Sequence, residues 1–398
     1  MKLKKLLSIA LGTLIAFNLS ITAFAGGTDV TDETNDAVEA TAETLQSECT
    51  AKSVIMMEAK TGTTIFEIEG EKSVPMSHLA KLMTMLIVAE EVDAQRLKLD
   101  EKLTVSANAN SQGGTQIWLN VGETISVLEL LKAITIGNAN DACMVLAEKI
   151  GGSEQEFISM MNQKAVELGM ERTHFEDVTG MSDGTISTAR DIGILAVEIT
   201  KYEFINEYTC TWMDYVRGEQ VELVNTNRLI RSYNGITGMK ACSSDTAGNC
   251  LVATAKRGEM TLICVILDSQ TKDTRFDEGK KILNHGFAAY ELYTPKLSKE
   301  IMSKVSVHNG KELKVSLKAE KEATIIIPKG SSSNIKVVFE KEEVLQAPVK
   351  AGSKVGYVRL VDPEGVIFES DLVAEKKVEK MTFGTAFKRL WTNMLKLC

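Results

Sequence analysis

Pro75-Met76-Ser77-His78-Leu79-Ala80-Lys81-Leu82-Met83-Thr84 is the stretch on which the fold turns. Leu79, Leu82, Met83, Leu86 and Ile87 recur at helical spacing. Their neighbours Met85, Val88 and Ala89 are apolar too, which predicts a helix buried on nearly all sides. His78 precedes Lys81 by three residues, so imidazole and ammonium share one helical face.

Outward from this helix, secondary-structure signals alternate. Upstream, Ser53-Val-Ile-Met-Met-Glu58 and Thr63-Thr-Ile-Phe-Glu-Ile68 flank Lys60-Thr61-Gly62, a hairpin by its β-branched runs and central glycine. Downstream, Ser126-Val-Leu-Glu129 and Ser153-Glu-Gln-Glu156 fit the capping box that opens a helix, and Gly151-Gly152 stops the helix between them. Strands are expected at 250–256 and 260–267, turned by Gly258, with a short helix at 280–290. Strands at both ends with helices between them predict an α/β domain over residues 49–293. After Pro295 the texture changes. Short strand-like runs at 304–307, 313–317, 324–327, 335–339, 355–361 and 366–369 are punctuated by Gly310, Gly330, Gly352 and Gly365. They predict a small all-β domain over residues 296–375.

The ends read differently. Lys2, Lys4 and Lys5, an apolar run at 6–17 and Ala23-Phe24-Ala25 form a secretory signal over residues 1–25. Asn18 and Ser20 leave that run short of a span of about 20 residues. Residues 26–48 carry acids and no base, without apolar periodicity, and read as a disordered spacer. At the other end Phe383, Phe387, Leu390, Trp391, Met394, Leu395 and Cys398 share one helical stripe. Lys380, Lys388, Arg389 and Lys396 are basic with no acid among them, so residues 379–398 predict an amphipathic helix for a membrane surface. Packing of that helix on the body is the competing reading.

Composition narrows the function classes. A net charge of -9 argues against nucleic acid as a partner, which needs a basic surface. The seven cysteines contain no Cys-x-x-Cys pair, so neither a zinc site nor a thioredoxin motif is supported. His78 has no companion histidine at ligand spacing, and no metal or cofactor is expected.

Residues 75–84 resemble the Pro-x-Ala-Ser-Met-Thr-Lys-Leu-Met-Thr stretch of the D-alanyl-D-alanine carboxypeptidases, the low-molecular-mass penicillin-binding proteins. Ile136-Gly-Asn-Ala-Asn-Asp-Ala142 resembles their Ser-Ala-Asn-Asp-Ala stretch. Tyr233-Asn-Gly-Ile-Thr-Gly-Met-Lys240 and residues 247–257 resemble the region of their Lys-Thr-Gly motif. Gly113-Gly-Thr-Gln-Ile-Trp-Leu119 and Ser187-Thr-Ala-Arg-Asp191 match flanking segments. The resemblance runs from Ser53 through the β domain to the tail. It implies the α/β fold of the β-lactamase/transpeptidase kind, an antiparallel sheet flanked by helices, and a cleft for peptidoglycan stem peptides ending in D-Ala-D-Ala. It also implies a place at the outer face of the cytoplasmic membrane.

The chemistry departs from the family. Ser-x-x-Lys enzymes place the nucleophile one turn before its base, and here the nucleophile position is His78, before Lys81. The second motif reads Asn138-Ala139-Asn140, so its hydroxyl is gone while the amide of Asn140 remains. The third reads Lys240-Ala241-Cys242, which loses a hydroxyl and crowds the cleft where glycine left room. By the resemblance Lys81, Asn140 and Lys240 would be base, substrate-binding amide and carboxylate anchor. Removal of a serine nucleophile costs on the order of 10⁶ in turnover in a well-studied protease. The expectation is therefore a noncatalytic, peptide-binding or regulatory relative. The alternative is an active carboxypeptidase using a displaced nucleophile such as Ser77, four residues before Lys81. Lys60-Thr61-Gly62, Ser269-Gln-Thr-Lys272 and Ser333-Asn-Ile-Lys336 spell family motifs out of order and are coincidences.

Overall fold

The computed structural model describes residues 42–395. The signal at 1–25, most of the expected spacer (26–41) and residues 396–398 lie outside them.

The first domain is built on a five-stranded antiparallel sheet. Its strands are β1 (Ser53–Glu58), β2 (Thr64–Ile68), β3 (Ile236–Ser244), β4 (Gly248–Arg257) and β5 (Met260–Ser269). Their spatial order is β2-β1-β5-β4-β3, so β3 forms one edge. Side chains alternate between two cores, as the period of a strand requires. Ile55, Met57, Cys250, Val252, Ile263, Val265 and Leu267 enter the larger core on the helical side. Val54, Met56, Leu251, Ala253, Leu262, Cys264 and Ile266 enter the smaller one. Both faces are covered, which is why these strands read as nearly unbroken apolar runs.

The helix Lys81–Asp93 runs through the larger core, with every residue from Lys81 to Ala89 buried. The helices Val127–Thr135, Asn140–Gly151 and Ala189–Thr200 pack their apolar residues into the same core. On the opposite face Thr274–Ala289 contributes Phe276, Ile282, Leu283 and Phe287 to the smaller core. The capping box of Ser126 and Glu129 is complete, and Gly152 ends its helix at φ +79°. At Ser153 the hydroxyl accepts from the Glu156 amide at 3.2 Å, and the reciprocal bond is absent among the described residues.

Several boundaries differ from the sequence reading. Ala42–Glu48 is a helix rather than the end of a disordered spacer, because Leu45 is buried in the smaller core. The helix expected at 280–290 begins at Thr274, since Arg275, Phe276 and Glu278 are buried as well. Tyr290–Tyr293, assigned from sequence to the first domain, is a strand paired with Ile325–Pro328. The β domain therefore starts at Tyr290, not at 296.

That domain holds a three-stranded and a four-stranded sheet; the latter pairs Lys336–Lys341, Lys354–Asp362 and Gly365–Ala374 in succession, with Leu317–Ala319 at its edge. Val344–Gln346, unread from sequence, pairs in parallel with Val305–His308. The tail helix is described over Phe383–Leu395 and starts after 379, because Lys380 is bridged to Gly310. Its Phe383, Phe387, Trp391 and Met394 are exposed. No described helix is long and apolar enough to cross a membrane.

Candidate active site

His78 does not sit on the long helix itself. Ser77–Ala80 form a 3₁₀ turn that leads into Lys81, and in such a turn side chains at i and i+3 eclipse one another. His78 Nδ1 accordingly lies 3.1 Å from Lys81 Nζ. The ammonium also donates to the Thr179 carbonyl at 2.7 Å, and His78 Nδ1 is 3.1 Å from the same oxygen. No hydroxyl hydrogen-bonds Lys81 among the described residues.

Electrostatics sets the charge states. Burial, which penalises charge, pulls the Lys81 ammonium down to about 8. Burial and then the Lys81 charge push the His78 imidazolium down to about 4. Near pH 7 a neutral imidazole thus faces a mostly protonated amine. Nδ1 lies between the two partners: it accepts from Lys81 in the Nε2–H tautomer and donates to the Thr179 carbonyl in the Nδ1–H tautomer.

The 176–182 loop closes over this pair. Gly180 has φ +79°, and a Cβ there would collide with the Ser77 carbonyl. Ser77 itself has φ +48° and is buried, yet it lines the cavity beside His78. Asp177 supports the loop, accepting from Thr179 Oγ1 at 2.7 Å and from Thr185 Oγ1 at 2.8 Å.

The second motif lies where the helix Asn140–Gly151 begins. Asn138 has φ +61°, a conformation asparagine tolerates better than most residues. Its Nδ2 reaches Thr226 Oγ1 at 3.4 Å. Asn140 donates from Nδ2 to the Gly113 carbonyl at 2.7 Å and from its backbone to Thr115 at 2.7 Å. The Oδ1 atoms of both asparagines are buried without a partner.

The third motif occupies the edge strand β3. Lys240 Nζ donates to the Ile134 carbonyl at 2.8 Å, and burial with the nearby Lys81 charge lowers it to about 7. Ala241 is not brought into the cleft. Strand alternation sends it into the smaller core opposite Leu251. Cys242 returns to the cleft side but is buried in the wall, paired with Cys250, instead of crowding the opening. The open space is a cavity of about 350 Å³ lined by Ser77, His78, Gly114, Met181, Ser244 and Thr246.

His78, Lys81, Asn138, Asn140 and Lys240 therefore converge, and Ala241 does not. Sequence reading missed Thr179, Gly180 and Thr226. A Thr-Gly pair is a turn signal, but a carbonyl that receives an ammonium has no side-chain signature. The arrangement offers two buried amines, a neutral ring and two buried amide oxygens without a partner.

Residues 38–271 match the family described as D-alanyl-D-alanine carboxypeptidase, and residues 290–380 match the C-terminal domain of penicillin-binding protein 5. D-alanyl-D-alanine carboxypeptidase DacF of Bacillus subtilis is 36% identical over 351 residues, 86% of this chain and 90% of its own length. D-alanyl-D-alanine carboxypeptidase DacC of Escherichia coli is 30% identical over 392 residues, 96% and 94% of the two chains. Penicillin-binding protein 5 from Haemophilus influenzae superposes with a TM-score of 0.76 at 26% identity, covering 84% of this chain and 98% of that one. An antiparallel sheet between two cores, motif positions gathered at one cleft and a trailing β domain agree with that match: the chain belongs to the D-alanyl-D-alanine carboxypeptidase family, among the low-molecular-mass penicillin-binding proteins.

Proposed function

We propose that this chain is a noncatalytic member of the family that binds peptidoglycan stem peptides ending in D-Ala-D-Ala at the outer face of the cytoplasmic membrane. The observation that carries the reading is that an imidazole, not a hydroxyl, stands 3.1 Å from Lys81 Nζ. A covalent acyl-enzyme of this family needs an alcohol there whose proton the amine can take. Asn138 offers no hydroxyl to relay a proton onto the leaving amine. Binding needs less. The cavity beside His78 is open, and Lys240, buried behind its wall, adds positive charge that favours a terminal carboxylate.

Ser77 is the rival nucleophile because it lines the same cavity. Against it, its hydroxyl makes no hydrogen bond to Lys81 and the residue is only 4% exposed. Fluorescent penicillin labelling of the purified mature chain separates the two. We expect no stable adduct. An adduct that Ser77→Ala abolishes would establish the active alternative. Calorimetry with an uncleaved D-Ala-D-Ala peptide tests binding; no measurable heat would reduce the chain to a structural role. The tail helix supports attachment to the membrane surface, since its aromatic stripe is exposed beside basic residues.

A further inference from the structure

Two thiols outside the family's chemistry meet at the wall of the cleft. Cys242 on β3 and Cys250 on β4 are direct partners in an antiparallel ladder whose register is regular from Gly248↔Ser244 to Thr254↔Gly238. Direct partners project from the same face of a sheet, and both residues lie in the larger core. Antiparallel partners keep their Cα atoms about 4.5–5.5 Å apart, inside the roughly 4.4–6.8 Å that a disulfide spans. Arg275 locks this register: its Nη1 donates to the carbonyl of Cys242 and, at 3.2 Å, to that of Cys250, with the Ser243 hydroxyl at 2.9 Å. Each cysteine is thus held by its own backbone at the point of pairing.

The two sulfurs are not equivalent. The Cys250 thiol donates to the Ala247 carbonyl at 3.2 Å, while its approach to Cys242, together with the positive charge of Lys240, Arg275 and Lys81, favours the Cys242 thiolate. The contact with Cys242 and burial push the Cys250 thiol up. Cys242 also lies two residues before Ser244, which lines the cavity, whereas Cys250 is fully buried. A lowered thiol beside a raised one is the arrangement of an attacking and a resolving cysteine.

We propose that Cys242 and Cys250 form a reversible cross-strand disulfide on the cleft wall, made and broken by exchange with small disulfides and thiols. In the forward direction the Cys242 thiolate attacks one sulfur of the external disulfide, whose S–S bond breaks and releases one thiolate. The Cys250 thiol then gives up its proton to that thiolate and attacks the Cys242 sulfur, expelling the second. Two protein thiols are oxidised, one external disulfide is reduced to two thiols, and no other oxidant is consumed.

The test is equilibration of the purified full chain with oxidised glutathione, alkylation of remaining thiols, digestion and mass spectrometry. We expect a linked pair of peptides carrying Cys242 and Cys250, two hydrogens lighter than the thiol forms. The denatured chain should then show two fewer reactive thiols than its seven cysteines provide. Excess dithiothreitol should restore them. Cys250→Ser should abolish the link and leave Cys242 carrying glutathione. Because closed packing can bar the reagent, the same measurement is repeated on chain refolded in the oxidised buffer. Both thiols alkylated after both treatments would overturn the proposal, as would a link from either cysteine to Cys143.

Discussion

Lys81 Nζ and His78 Nδ1 lie 3.1 Å apart across one 3₁₀ turn, with the ammonium anchored at 2.7 Å on the Thr179 carbonyl. The lysine that the family reserves for a nucleophile is here engaged with a ring that cannot form a serine ester.

The first prediction concerns that ring. His78 is lowered to about 4 by burial and by Lys81, so its NMR titration should fall far below the ordinary value of about 6.5. Its nitrogen shifts should report which partner holds Nδ1: a bare Nδ1 if it accepts from Lys81, a protonated one if it donates to the Thr179 carbonyl. In Lys81→Met the repulsion disappears while burial remains, so the midpoint should rise yet stay below 6.5. The unfolded chain takes up a proton below about 6.5 and the folded one only near 4, so this residue withdraws stability as pH falls through that window. A titration near 6.5 in the parent chain would show a solvated imidazole and remove the assigned contact.

The buried amines predict the opposite end of the pH scale. Lys240 is lowered to about 7 by burial and by Lys81. Above that pH the folded chain releases a proton that the unfolded chain keeps until about 10.4. Stability linked to this residue therefore rises with pH across the interval. Lys240→Met should stabilise the protein by roughly 1–3 kcal/mol near pH 6 by removing an uncompensated buried charge. The advantage should shrink toward pH 10, as read by denaturant unfolding at each pH. An advantage independent of pH would mean that Lys240 is neutral, or hydrated, throughout.

Reversal of the motif substitutions separates chemistry from packing. His78→Ser, Asn138→Ser, Ala241→Thr and Cys242→Gly together should bring back penicillin labelling. His78→Ser alone should label slower by about 10² or more, because Asn138 still lacks a hydroxyl to move the proton. The full reversal has a structural cost. Ala241 is fully buried opposite Leu251, so threonine there overpacks the smaller core by about 1–3 kcal/mol. The four-fold variant is expected to melt below the parent even as it labels. No labelling in any combination would mean that the cleft has drifted beyond its motifs.

These residues also show what a sequence can disclose. The run from Lys81 to Ala89 is apolar on almost every position, and it is buried at every one of them. Motif order and spacing were equally legible, since Lys81, Asn138, Asn140 and Lys240 do converge. Ala241 was misplaced because a motif read as a string ignores strand alternation, which sends adjacent side chains to opposite faces. Tyr290–Tyr293 was assigned to the wrong domain because a four-residue strand following a helix carries little signal until its partner Ile325–Pro328 is known. Thr179 was invisible for another reason: it acts through its carbonyl, which every residue has.

Gly180 tests how tightly the loop is clamped to the turn. Its φ of +79° is one that L side chains rarely adopt, and an added Cβ would strike the Ser77 carbonyl, a backbone atom with nowhere to move. Gly180→Ala should cost at least about 2 kcal/mol from strain and overlap together. It should also disturb the Thr179 carbonyl that holds Lys81, so the His78 titration should shift in the same variant. Gly62→Ala, also at positive φ but with open space around it, should cost less. Equal losses at the two positions would mean that backbone conformation alone, not contact with Ser77, sets the penalty.

The tail helix gives the last prediction. Phe383, Phe387 and Trp391 follow one another along its exposed face, with ring centroids 6.5 and 6.4 Å apart. Such a stripe in water is unfavourable, whereas at a membrane surface it enters the headgroup boundary while basic residues meet anionic lipid. Arg389 reaches back to the Lys311 carbonyl, so the helix is tied to the β domain through its polar side. The aromatic side stays exposed. Vesicles containing an anionic lipid should therefore sediment the full chain, and salt should weaken the interaction because part of it is electrostatic. Phe387→Ala combined with Trp391→Ala should release the chain into the supernatant while leaving its melting temperature unchanged, since neither ring is buried in the folded body. If instead the double variant melts lower and sediments as before, the stripe is a packing surface and the membrane reading fails.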